Sequence, residues 1–151
     1  MDVLVFHLNR QRYGLIGADV RQVVRAVTIA PLPRAPAIVE GVINLRGALV
    51  PVLDIRARFR LLAKPLAVTD QLIVATAGKR LVALRVDGTL DLVAIDPALI
   101  EDPAPLTART DLIAGVAKLP DGLVLIHDLR VFLSAAEADA LDEVARLEAT
   151  T

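Results

Sequence analysis

The sequence is informative first in what it lacks. None of its 151 residues is cysteine, which excludes disulfides, thiolate metal sites and cysteine nucleophiles and fits a reducing compartment. It has no tryptophan, one tyrosine and three phenylalanines, so the stacking platforms of a single-strand nucleic-acid binder are missing. Neither sign of charge is in excess, with 17 Lys and Arg against 18 Asp and Glu, whereas phosphate-led binding usually shows a basic surplus. No apolar run approaches the ~20 residues of a membrane-spanning helix, and direct membrane insertion is not expected. The start, Met1-Asp2-Val3-Leu4, carries no basic region of a signal peptide. The eight glycines form no Gly-x-Gly-x-x-Gly or Walker run that would cradle a phosphate.

What is present is aliphatic. Hydrophobic residues make up 55% of the chain while aromatics supply only 3%, so a core of Val, Leu, Ile and Ala is expected in a chain of one-domain length. Most segments read as short strands. Val3 to Leu8 and Tyr13 to Ile16 flank a polar turn, and Val20 to Val27 is a further strand. Val42 to Arg46 and Leu49 to Leu53 flank Gly47-Ala48 as a second hairpin. Asp54 is placed to cap a short helix running to Leu61. Leu72 to Thr76, Leu81 to Val86, Leu90 to Ile95, Ile113 to Leu119 and Leu123 to His127 continue the strand texture. Asp87-Gly88 reads as a turn. Ser134 and Glu137 form a capping-box pattern that opens a C-terminal helix over 134–149.

An internal repeat organises these strands. Gly41 to Arg56 aligns without a gap on Gly115 to Arg130, matching Gly41 with Gly115, Val52 with Ile126, and Asp54-Ile55-Arg56 with Asp128-Leu129-Arg130. A weaker match pairs Leu4-Val5-Phe6 with Leu72-Ile73-Val74. The repeat predicts two copies of one small β unit, about 1–64 and 70–133. Each would close into a barrel of about five strands to remove exposed edges, with an apolar seam between them. Lys64 to Asp70 is the expected crossing between the halves, and strand exchange between the barrels is left open. Asp54 and Asp128 recur at the start of the same helical turn, which predicts structural caps.

Catalytic chemistry is hard to assemble. His127 adjoins Asp128, but neighbours in a strand point to opposite faces, and the single serine, Ser134, is better placed as a cap. Two histidines without cysteine or clustered carboxylates give no metal-ligand spacing, and no cofactor is expected. Arg56, Arg58, Arg60 and Lys64 read as a solvated basic helix face, or as a docking surface for an acidic partner. Asn44 and Arg46 differ in kind. They sit at a hairpin whose repeat copy has Lys118 and Pro120 instead, so the scaffold does not demand them, and they are candidates for function in the first copy alone.

The run Pro33-x-x-Pro36-x-x-Val39-x-Gly41-Val42-x-Asn44-Leu45-Arg46-Gly47, followed by Pro51-Val52-x-Asp54-Ile55-Arg56, resembles the CheW family of chemotaxis coupling proteins. Tyr13-Gly14-Leu15, Val86-Asp87 and Ile113-x-Gly115-Val116 support it, and the likeness extends from Val3 to Leu133. The resemblance implies two SH3-like β barrels and a non-enzymatic adaptor. Its implied partners are the cytoplasmic tip of methyl-accepting chemoreceptors and the regulatory domain of a CheA-type histidine kinase. Its implied place is the cytoplasmic side of membrane chemoreceptor arrays. Carried over by motif, the receptor surface falls near Val20, Gln22, Gly41, Asn44, Arg46 and Gly47, while the kinase-binding residues are unassigned. Many family members have Glu at the position of Gln22, where it would pair with the motif Arg. With Gln22, either Arg46 is less fixed or an acid such as Asp19 or Glu40 substitutes. Alternative readings are an adaptor of a non-flagellar chemosensory pathway, and, in a different class, a small β-barrel ligand sensor or enzyme. Nucleic-acid binding through Arg56 to Lys64 is a third.

Overall fold

The computed structural model describes residues 1–58, 61–101, 113–129 and 137–143. The strands are β1 (Asp2–Leu8), β2 (Gln11–Ile16), β3 (Val20–Arg25), β4 (Val39–Leu45), β5 (Ala48–Leu53), β6 (Gln71–Ala77), β7 (Arg80–Val86), β8 (Gly88–Ala94), β9 (Ile100–Glu101), β10 (Ile113–Leu119) and β11 (Gly122–His127). A single helical turn, α1 (Ile55–Arg58), follows β5, and 3-10 turns occupy Gly17–Asp19 and Pro97–Leu99. The fold is mainly β, in two sheets. One runs β8-β1-β2-β11-β10-β9 and the other β3-β6-β7-β5-β4.

The five-stranded sheet is one continuous stretch of chain, 20–86, and the six-stranded sheet takes the segments on either side of it. Each sheet therefore contains strands of both repeat copies. The chain passes from one sheet to the other at Gly17–Asp19 and again at Asp87. The 61–70 connection joins α1 to β6 on the same side, so the crossings lie elsewhere than Lys64 to Asp70. Asp87 is a one-residue passage between unpaired strands rather than a hairpin turn. Nothing in the local pattern of β3 or β8 names its partner, because pairing is set by tertiary burial.

The repeat is visible in the hairpins. In β4–β5 the register slips between Val39 and Gly41, and in β10–β11 it slips between the matching Ile113 and Gly115. Both slips are β-bulges, which bend a strand and increase its twist. Each sheet closes into a barrel in the same way. The chain beyond β3 returns to bridge β4, Ala30 exchanging backbone hydrogen bonds of 2.9 and 2.8 Å with Val42. The chain beyond β8 returns as β9 and pairs Glu101 with Val116.

Period-2 patterning then distributes the aliphatic residues among three cores. Val3 and Val5 point into the six-stranded barrel with Ala117, Val124 and Ile126. Leu72 and Val74 point into the five-stranded barrel with Val50, Val52 and Ala83. The alternate residues Leu4, Phe6, Leu8, Ile73 and Ala75 form the seam between the barrels with Leu15, Leu53 and Leu84. Helical residues 137–143 lay Leu141 into the same seam, held by the ion pairs Arg58–Glu137 and Arg80–Asp142. The expected helix over 134–149, including its Ser134 cap, otherwise lies outside the described residues.

Candidate protein-docking site

The β4–β5 hairpin turns on Arg46 and Gly47, one residue earlier than Gly47-Ala48. Leu45 pairs with Ala48, and both loop residues are left-handed, with φ of 53° at Arg46 and 90° at Gly47. Positive φ at both central positions is the turn type whose twist matches a hairpin. Glycine adopts it freely, whereas a left-handed arginine costs about 1 kcal/mol or more. Asn44 holds the turn by accepting the Gly47 N–H at 2.8 Å. The Arg46 side chain is exposed, and among the described residues it has no hydrogen bond or ion pair.

The repeat copy is built differently. There the tip residues are Pro120 and Asp121, and Asp121 is tied to Arg12 of β2 at 2.9 Å. That hydrogen bond is the main reason the Asp121 carboxyl is held below its usual range. One hairpin tip is thus tied by an ion pair to β2, while the other offers an uncommitted guanidinium, a donor set suited to carboxylate or backbone acceptors.

Register places the other motif residues. Val20 lies opposite Ala75 near the end of β6, and β5 runs parallel to β7. Val20, the Gly78-Lys79 turn and the Arg46-Gly47 tip therefore share one end of the five-stranded sheet. Gln22 lies further in, opposite Val74. Val20 and Gln22 are half-buried, and among the described residues no hydrogen bond joins Gln22 to Arg46. Glu40 does not substitute for the missing acid, because its carboxylate is committed to Arg85 at 2.9 and 3.0 Å. Gly41 is buried and faces no open space. A Cβ there would stand 2.2 Å from the Ala30 carbonyl oxygen, so the glycine lets the closing segment cross β4. Gly41→Ala is expected to destabilise the protein by about 2 kcal/mol through overpacking, read as a lowered urea midpoint.

A shallow cavity of about 430 Å³ lies at the Gly17–Asp19 passage, lined by Met1, Asp2, Ile16, Gly17, Ala18 and Leu92. Leu92 is 62% exposed and Leu90 50% exposed. The strand reading of Leu90 to Ile95 leaves open which face is covered. β8 is the sheet's edge, and its Leu92 lies opposite Leu4 and extends the line of the seam to the surface. The outward face could not be read from spacing alone, because alternation shows that one face is apolar but not which neighbour covers it.

The basic cluster departs from the solvated-face reading. Arg56 is buried, with its Nη2 shared between both Asp87 carboxylate oxygens at 2.6 and 2.7 Å, and Arg58 binds Glu137. Lys64 lies 2.8 Å from Asp70 and 3.5 Å from Asp87. Arg85 contacts both Glu40 and Asp70, and donates to the Lys64 carbonyl at 2.9 Å. Glu40, Arg85, Asp70, Lys64, Asp87 and Arg56 thus alternate in sign along one chain, and Arg56 and Lys64 are unavailable to a phosphate backbone. Arg60 lies outside the described residues. Asp54 accepts the Ala57 N–H at 3.3 Å at the start of α1. The turn that Asp128 begins runs into residues outside those described. His127 is buried in the seam with its ring 5.3 Å from that of Tyr13, away from any substrate in solution.

Burial raises Asp70 and Asp87, but the Ala67 N–H with Lys64 and Arg85, and the Arg56 and Asn9 donors, outweigh it and leave both below the ordinary value. Burial raises Glu40, and Arg85 offsets this only in part. At pH values between the lowered and the ordinary carboxylate pKa, the unfolded chain binds more protons through Asp70 and Asp87, so stability falls as pH falls. Glu40 acts with the opposite sign, at and above its ordinary value. Thermal stability is therefore expected to hold or rise slightly on acidification from neutrality, then drop below about pH 4. Melting curves from pH 7 to 3 check this, and Asp87→Asn should flatten the acid limb.

Comparison with known proteins agrees with this architecture. The family model described as "CheW-like domain" matches residues 2–137. The chain is 30% identical over 142 residues to the chemotaxis protein CheW of Rhizobium meliloti, covering 92% of this chain and 91% of that one. It is 28% identical over 148 residues to the chemotaxis protein CheW of Klebsiella aerogenes, covering 96% and 89%. The crystal structure of the scaffolding protein TtCheW from Thermoanaerobacter tengcongensis superimposes with a TM-score of 0.83 at 32% identity, covering 90% of this chain and 94% of that one.

Proposed function

The chain belongs to the CheW-like domain family, and from that premise we propose that it is a non-enzymatic adaptor coupling the cytoplasmic tips of chemoreceptors to a CheA-type histidine kinase. The observation that carries this reading is the uncommitted Arg46 at a strained hairpin tip, set against the ion-paired tip of the repeat copy. A fold that needed an arginine there would give it a partner. Ile16, Ala18 and Leu92 line an apolar groove at the Gly17–Asp19 passage between the barrels, and Val20 packs on the seam where that passage ends. A receptor's helical hairpin would lay apolar side chains into that groove while Arg46 donates to its acceptors. Asn44 and Gly47 shape the tip, Gln22 lines the approach, and Gly41 acts from beneath by seating Ala30. Association with membrane arrays follows from the receptor contact, and no helix among the described residues is long and apolar enough to cross a membrane. Contact with receptor and kinase together would shift the kinase between its states.

The direct test is binding of the purified protein to a receptor cytoplasmic fragment and, separately, to the regulatory domain of a CheA-type kinase. Saturable binding to both is expected. Binding to neither overturns the reading.

A further inference from the structure

The two barrels meet through an apolar seam, and apolar contact has no preferred direction. Directional bonds between the two sides fix their angle more sharply than that contact does, and these are unevenly placed. At the Gly17–Asp19 passage no side-chain hydrogen bond among the described residues joins the two barrels, and the one there, from Thr76 Oγ1 to the Asp19 carbonyl, is long at 3.4 Å and stays with β3 and β6. At Asp87 the bonds are short and several. The Asp87 carboxylate accepts both Arg56 bonds from α1, on the five-stranded side, and the Asn9 N–H at 2.9 Å from the β1–β2 turn of the other barrel. Its own N–H donates to the His7 carbonyl of β1 at 3.1 Å. Two residues on, Gln71 Oε1 of β6 accepts the Thr89 N–H at 2.6 Å and the Thr89 hydroxyl at 2.9 Å, again across the two sheets.

Arg56 is itself held. Its Asp87 partner also faces Lys64, which is paired with the buried Asp70. Arg56 Nη2 sits between both Asp87 oxygens at 2.6 and 2.7 Å, and charge-assisted hydrogen bonds of this length are among the stronger ones, while its Nη1 donates to the Leu62 carbonyl at 3.4 Å. The β1–β2 turn that presents Asn9 is equally constrained, with φ of 51° at Asn9 and 70° at Arg10.

We infer that Asp87, clamped between Arg56 and Asn9, is the pivot that fixes the angle of the two barrels, and that this clamp sets where the Arg46 tip stands relative to the hollow at the opposite passage. The two parts of the docking surface belong to different barrels, the hollow lined by Ile16 and Leu92 to one and the Arg46 tip to the other. Asp87 and Arg56 are then positioning residues that act on the docking site without touching it. The bearing on a receptor rests on the function proposed above, whereas the clamp itself does not.

The chain has no cysteine, so a label pair can be placed uniquely. With spin labels on Lys79→Cys and Lys118→Cys, both exposed and one on each barrel, pulsed dipolar spectroscopy reads the inter-barrel distance distribution of the whole protein, with no receptor present. The parent should give one narrow peak. Asp87→Ala should at least double its width, and Arg56→Lys, which keeps the charge but withdraws the donor from its 2.6 and 2.7 Å contacts, should broaden it less. Val74→Ala, which lowers stability from inside one barrel, should leave the width unchanged. An unchanged width in Asp87→Ala, or equal broadening in Val74→Ala, overturns the inference. If Asp87→Ala does not fold, Arg56→Lys decides, and a parent-like width in it is the contrary result.

Discussion

Replacing Arg85 with alanine should lower stability by about 3–5 kcal/mol, the range for removing one partner of a buried ion pair. The reason lies in what stays behind. Asp70 is 1% exposed and accepts from Arg85 Nη1 at 3.2 Å, and Glu40 accepts two bonds from Arg85 Nε. Both carboxylates would remain in place with their opposite charge gone, and Asp70 would keep only Lys64 and the Ala67 N–H. The Lys64 carbonyl would lose its donor as well. For a chain of this size the loss corresponds to a fall in melting temperature of about 10 °C or more. Arg12→Ala removes a surface pair and should leave the melting temperature nearly unchanged. A small effect at Arg85 would mean that the alternating chain of charges is not a cooperative unit.

Arg46→Ala should act in the opposite way, on binding and not on folding. An arginine at the centre of a docking surface commonly contributes 2 kcal/mol or more, so receptor-fragment affinity is expected to fall about 30-fold. The melting temperature should stay nearly unchanged, because the side chain has no partner among the described residues and alanine carries the same left-handed backbone strain. Equilibrium titration and a thermal melt on the same sample separate the two outcomes. A mutant that loses stability in step with binding would make Arg46 a scaffold residue. Binding of the kinase regulatory domain should be unchanged in this variant if the receptor surface is distinct from the kinase surface.

Much of the fold is legible in the sequence because its signals are local. The repeated Gly41 and Gly115 hairpins, the period-2 runs and the polar turns state which segments are strands and how each hairpin closes. The sorting of strands into sheets is not local. β3 leaves its own copy to pair with β6, and β8 leaves its copy to pair with β1, so the repeat units and the sheets do not coincide. The docking site divides along the same line. Arg46 stands out in the sequence through its absence from the second copy. Leu92 and Ile16 do not, because an exposed leucine and a buried one look alike until the edge of the sheet is known. Arg56 misleads for a related reason. Its run of basic neighbours suggests a solvated face, while the partner that buries it, Asp87, lies 31 residues away. Gln22 remains the one motif position where nothing in the structure supplies the charge that the family pattern would place there.

The central claim, coupling of receptor to kinase by this chain, is tested most directly by measuring autophosphorylation of a CheA-type kinase on membranes containing its chemoreceptor, with and without the protein. Kinase activity should rise, and come under ligand control, only when the protein is present, and Arg46→Ala should abolish both effects. Kinase activity that is the same, and equally responsive to receptor ligand, whether or not the protein is added would contradict the claim.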